Sequence, residues 1–151
     1  MKLLTDYHSL EDTLLGLKQQ VIDSMAFAKK NIPVFNSPEE LYYWMRERTK
    51  YVKDPPGTEL LQSLPTLVAG SRLGVPWGGD CDCFTIASLS ALIANGFAPV
   101  YVILVGRQAD APVHIYAGVE DGGIVPFDLT NEDYGYERTN YPYQQILPFR
   151  I

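Results

Sequence analysis

Between Asp80 and Gly96 the chain reads DCDCFTIASLSALIANG, and this stretch limits the possible folds more than any other. Asp80 has the short acceptor side chain of an N-cap, and Asn95-Gly96 is a helix stop. Between them Phe84, Ile86, Ala87, Leu89, Ala91, Leu92, Ile93 and Ala94 fall on nearly every side of a helix. A helix that is apolar all round has no face for water, so it has to be the central element, wrapped by the rest of the chain.

The flanking sequence supplies that wrapping. Leu10, Leu14, Leu17, Val21, Met25 and Ala28 recur every three or four residues, predicting a first helix with Ser9 as cap and Lys29 and Lys30 at its C-terminal end. Ser37, Pro38 and Glu40 form a helix-start signal before Leu41, Trp44 and Met45. Asp54-Pro55-Pro56-Gly57 breaks the chain, Thr58 to Leu64 is expected as a short helix interrupted by Pro65, and Gly70 to Gly79 as loop. After the central helix, three strands are expected: Val100 to Val105, Val113 to Val119 and Gly123 to Leu129. From Asn131 the chain carries Tyr134, Tyr136, Tyr141 and Tyr143 among turn formers and is expected to be an irregular loop closing over the sheet.

Helices followed by a short antiparallel sheet make an α+β domain. With 151 residues the chain is expected to be one domain, with a helical N-terminal extension over 1–50, a catalytic core over 51–130 and a Tyr-rich tail over 131–151.

Composition removes several functions. Twelve Lys and Arg against eighteen Asp and Glu leave a net charge of −6, with no basic cluster to neutralise phosphates, so neither nucleic acid nor an anionic membrane is an expected partner. The apolar run Ile86 to Ala94 is far shorter than the ~20 residues that span a bilayer. Met1 to Asp6 lacks the makings of a secretory signal, and the expected location is cytoplasmic. Cys81 and Cys83 are the only cysteines, and a loop closed over one residue removes little chain entropy, so no disulfide framework is expected. They remain inert core residues, metal ligands, or a nucleophile with a bystander.

The hairpin arithmetic separates these. A three-residue loop Glu120-Asp121-Gly122, with Gly122 at positive φ, places Val119 opposite Gly123. Val113 then faces Leu129, Ile115 faces Phe127 and Ala117 faces Val125, an apolar face throughout. His114 falls opposite Asp128 on the other face, with Cβ atoms ~5 Å apart. A carboxylate beside an imidazole fixes its tautomer and stabilises its protonated form. Cys81 falls in the first turn of the central helix, where unpaired backbone N–H groups favour a thiolate and could hold an oxyanion. Cys83, roughly 200° further round the helix, cannot face the same histidine. Cys81, His114 and Asp128 are therefore the candidate nucleophile, base and orienting carboxylate.

These residues resemble a known family. Gly79-Asp80-Cys81-Asp82 opening an apolar helix, His114 on a strand, and Pro126-Phe127-Asp128-Leu129-Thr130 on the next are similar to the transglutaminase-like superfamily of papain-related cysteine enzymes, above all its small bacterial and phage-encoded members. Tyr51-Val52-Lys53-Asp54-Pro55, Glu59 and Gln62 to Pro65 resemble what precedes the cysteine in those members. The similarity runs from Tyr51 to Thr130. It implies a papain-like core, with Cys81, His114 and Asp128 in the roles already assigned. Cys83 stands where many members carry a second acidic residue. Papain-related enzymes often use an upstream Gln or Trp as a second oxyanion donor, which suggests Gln62 or Trp77; the plainer expectation is a solvated Gln and a core or lid Trp.

The competing chemistry is zinc held by Cys81, Cys83 and His114, although structural zinc normally takes four ligands at wider cysteine spacing. His8 is expected on the surface, and Glu39/Glu40 and Glu132/Asp133 as solvated carboxylates. The chemistry expected is cysteine acyl transfer on a protein or peptide substrate, with hydrolysis ahead of crosslinking and with no metal or other cofactor. The alternative is an inactive domain of the same fold serving as a binding or structural part, such as a component of a phage virion, in assembly with other virion or host proteins.

Overall fold

Helix α4 (Cys81–Ala94) is the centre of the computed structural model, which describes residues 10–54, 61–109, 111–137 and 140–151. Cys81 through Leu92 are buried without interruption, as a helix lacking a polar side demands. Its hydroxyls cost little, because Thr85, Ser88 and Ser90 each donate to the carbonyl four residues back at 2.7 Å. Gly96, at φ +81°, closes the helix in the left-handed conformation that Asn95-Gly96 announces.

Helix α1 (Leu10–Asn31) packs along α4 through Leu17, Val21, Met25 and Ala28. Ser9 and His8 lie outside the described residues. Helix α2 (Pro38–Arg46) starts as its sequence signal requires, with Ser37 Oγ accepting the Glu40 amide at 3.2 Å. A correction falls on the next element. Of the helix expected over Thr58 to Leu64, residues 58–60 lie outside the described residues (as do 55–57) and 61–63 are not helical; the helix found is α3 (Leu64–Ala69), with Pro65 in its first turn rather than interrupting it. A proline at the first helical turn has no amide to satisfy and a φ already suited to the helix. The Leu64 amide donates to Ser24 Oγ of α1 at 2.8 Å, tying the two helices together. Two short parallel strands, β1 (Lys50–Tyr51) and β2 (Gly78–Gly79), lead into Asp80 and α4.

The main sheet is antiparallel and has four strands, β3 (Val100–Gln108), β4 (Ala111–Glu120), β5 (Ile124–Phe127) and β6 (Tyr143–Phe149), in the order β5-β4-β3-β6. The architecture is thus α+β, with α4 between this sheet and the α1 and α3 layer. Strand β6 lies in the segment expected to be an irregular loop. It pairs with β3 from Val100↔Phe149 to Gly106↔Tyr143, and its partly buried Gln145, Leu147 and Phe149 alternate with exposed Gln144, Ile146 and Pro148. Two glutamines and a proline hide this alternation in the sequence, yet an edge strand tolerates both. Part of the tail does close over the sheet, since Tyr141 packs on Ile103, Val105 and Tyr116 on the side away from α4.

The hairpin register also differs. Val119 pairs with Val125 and Ala117 with Phe127, so the loop is Asp121-Gly122-Gly123. Gly122 at φ +73° and Gly123 at φ +133° both take conformations open to glycine, and the turn sits one residue later than expected. Moving the turn by one moves each partner by two, which preserves the faces. Among the described residues, no helix is long and apolar enough to cross a membrane.

Candidate functional site

Strand β5 stops at Phe127, and Asp128 follows in a turn. His114 and Asp128 are not partners in the ladder, but their side chains meet, with His114 Nε2 2.8 Å from Asp128 Oδ2. Both are buried, at 8% and 4% exposure. The rest of the carboxylate is also committed. Thr130 donates to Oδ1 through its amide at 3.1 Å and its hydroxyl at 2.7 Å, and the Asn131 amide group donates to Oδ2 at 3.2 Å. Four donors on one buried carboxylate favour its charged form and hold it in a single orientation.

The turn itself is anchored to α2. The Tyr42 hydroxyl lies 2.8 Å from the Asp128 carbonyl and 2.6 Å from that of Asn131, sharing one proton between them, and Arg46 Nε donates to the Asn131 carbonyl at 2.8 Å. Burial is the main reason the Tyr42 hydroxyl is held well above its ordinary pKa, with the Asp128 charge adding to it. Sequence reasoning missed Tyr42, Arg46 and Asn131. The signal available was a run of hydrogen-bonding side chains after Asp128, and nothing local pointed to α2.

Cys81 opens α4 where that helix packs against β4. Its sulfur accepts the backbone amide of Ile115, the neighbour of His114, at the point where β5 no longer covers β4. The expected depression of its pKa by the helix start is not what the surroundings produce. Burial pushes the Cys81 thiol up strongly, the Asp82 and Asp80 carboxylates add to this, and the Ile115 amide opposes it. The group is 6% exposed and its surroundings disfavour the thiolate, so a nucleophilic role needs a base to take its proton. His114 has Nε2 engaged by Asp128, which leaves Nδ1 for that task.

Cys83 faces elsewhere. Its sulfur accepts from Gln62, whose Nε2 is 3.5 Å away, and burial pushes its thiol up. Gly79 lies against it so closely that an added Cβ would be 2.8 Å from the Cys83 Cβ. Neither cysteine is in a disulfide. Among the described residues, Cys81, Cys83 and His114 do not gather their ligand atoms into one group within 4.8 Å; the set that does is Asp80, Asp82 and Cys83.

Gln62 is 1% exposed rather than solvated, and its amide nitrogen is also 3.2 Å from the Gly78 carbonyl. Trp77, at φ +60°, stacks edge-on against Trp44 with ring centroids 5.9 Å apart. Tyr51 belongs to the surroundings of Cys81 although it carried no role in the sequence reading. It is 56% exposed, packs edge-on against Phe84, and its hydroxyl pKa is raised by burial first and then by Cys81, Asp80, Asp82 and Asp54. The grooves beside Leu147–Arg150 and Ala98–Tyr101, of about 380 and 650 Å3, flank β6 at the opposite edge of the sheet from β5. Among the tail tyrosines, Tyr134 packs on Tyr42 and Phe127 and donates to Asp121 at 2.8 Å, a packing role.

Comparison with protein-family models, curated proteins and solved structures finds no match to this chain.

Proposed function

We propose that this chain is a cysteine-dependent acyl-transfer enzyme acting on peptide or carboxamide bonds, with a papain-like core of the transglutaminase-like kind. One observation carries the reading: a buried His114–Asp128 pair at 2.8 Å, next to a strand amide that donates to Cys81. In the reaction His114 takes the thiol proton as sulfur attacks the carbonyl carbon, then delivers it to the leaving amine, forming a thioester. Water attacks the thioester and regenerates the thiol, so the net reaction is hydrolysis. Asp128 holds the ring and stabilises its cationic form. The α4 start supplies backbone N–H groups near the carbonyl oxygen. The substrate is a protein or peptide, and no step calls for a cofactor.

The burial and raised pKa of Cys81 favour a second reading, an inactive domain of the same fold used as a structural or binding part of an assembly such as a virion. Iodoacetamide labelling followed by mass spectrometry separates the two. The enzyme reading expects Cys81 to react well ahead of Cys83, with the advantage lost in His114→Ala. Equal, slow labelling of both cysteines, unchanged by that substitution, would end it.

A further inference from the structure

The start of α4 carries a second group of side chains that acyl transfer does not use. Asp80, Asp82 and Cys83 each offer one ligand atom, and these atoms all lie within 4.8 Å of one another. Asp82 and Cys83 are fully buried. Zinc-like ions bind carboxylate oxygen at about 2.0–2.2 Å and thiolate at about 2.3 Å, which puts tetrahedral ligands about 3.5 Å apart. Bringing these atoms to such a spacing takes side-chain adjustments of roughly an ångström.

A separate feature also points to a ligand here. Gln62 is 1% exposed, and its head group abuts the cluster with Nε2 3.5 Å from Cys83 Sγ, yet its carbonyl oxygen Oε1 is buried with no hydrogen-bond partner. Oδ1 of Asp80, one of the three residues of the cluster, is likewise buried and without one. A buried oxygen left without a hydrogen bond is destabilising, and more so when charged. Two such oxygens beside a thiol and a second carboxylate form a donor set that a cation would satisfy.

We infer that Asp80, Asp82, Cys83 and the Gln62 carbonyl form a site for a divalent cation of the zinc class. The set is one sulfur and three oxygens, and binding releases the Cys83 thiol proton to solvent. This is not the zinc site first weighed from sequence, because it leaves Cys81 and His114 out of the coordination. The site stands whether or not Cys81 is a nucleophile.

Cobalt(II) added to the reduced, full-length protein tests it through the near-ultraviolet sulfur-to-cobalt charge-transfer band. The expected result is a band that saturates at one equivalent, persists in Cys81→Ser and is lost in Cys83→Ser. Because Cys83 is a core residue, Asp80→Asn at the half-buried cap and Gln62→Leu give independent checks, each expected to weaken cobalt affinity about tenfold or more. Circular dichroism establishes that each variant is folded. No charge-transfer band with the folded wild-type protein overturns the proposal. A band that survives Cys83→Ser but disappears in Cys81→Ser or His114→Ala also overturns it, by placing the ion at the other sulfur.

Discussion

His114 Nε2 lies 2.8 Å from Asp128 Oδ2, although the β4–β5 ladder ends before either residue and pairs neither with the other. The bond is made by a turn that α2 holds through Tyr42 and Arg46. The pair therefore depends on residues far away in the chain, and so do the effects of altering it.

Removing the imidazole should slow Cys81 more than any neighbouring change. His114→Ala is expected to lower the rate of Cys81 alkylation at neutral pH about a hundredfold or more, within the roughly 10²–10⁴-fold range of general-base effects. Asp128→Asn, which keeps the shape but removes the charge, should have a smaller effect. Peptide-resolved mass spectrometry at several reaction times gives both rates.

The turn after Asp128 should be worth measurable stability. Tyr42→Phe removes the hydroxyl shared by the Asp128 and Asn131 carbonyls. Its expected cost is about 1–3 kcal/mol, because buried acceptors are left behind. Thr130→Val removes the hydroxyl that donates to Asp128 Oδ1 at 2.7 Å and should cost about 1.5–3 kcal/mol, the range for hydrogen bonds to charged groups. Urea denaturation checks both, and a change below about 0.5 kcal/mol for Tyr42→Phe would contradict the anchoring role.

Gly70 closes α3 at φ +68°, and an added Cβ there would sit 2.5 Å from the Val75–Pro76 backbone. Backbone cannot move aside as a side-chain end can. Gly70→Ala should therefore cost more than the roughly 1–2 kcal/mol of a left-handed alanine alone, about 2–4 kcal/mol in all. A thermal melt lacking a large drop would show that the loop can relax.

The central helix should be intolerant of truncation, and the outer side of α1 tolerant. Leu89, with no exposed surface, should lose about 2–5 kcal/mol on replacement by alanine. Leu15, 66% exposed, should change stability by less than about 0.5 kcal/mol on the same replacement. Paired denaturation curves decide it, and similar losses at the two positions would mean that Leu15 packs against something in solution.

Local chemistry determined much from sequence alone. A helix with no polar side had to be central, Ser37 and Pro38 had to start a helix, and Asn95-Gly96 had to end one, because each effect acts within a few residues. The alternation of β4 fixed the side of the sheet that His114 takes, and this survived a turn misplaced by one residue because sides repeat every second residue, whereas Asp128 reaches the imidazole from the turn after β5 rather than from a strand position.

Only the tertiary structure decided the rest. Strand β6 was hidden because an edge strand needs apolar residues on one side alone, and Pro65 sits in the first turn of α3 where the sequence had suggested an interruption. The electrostatics of Cys81 were decided last of all: the helix start favours a thiolate, but depth of burial and the Asp80 and Asp82 carboxylates outweigh it. Desolvation and charge depend on what surrounds a side chain in space, and no spacing along the chain records that.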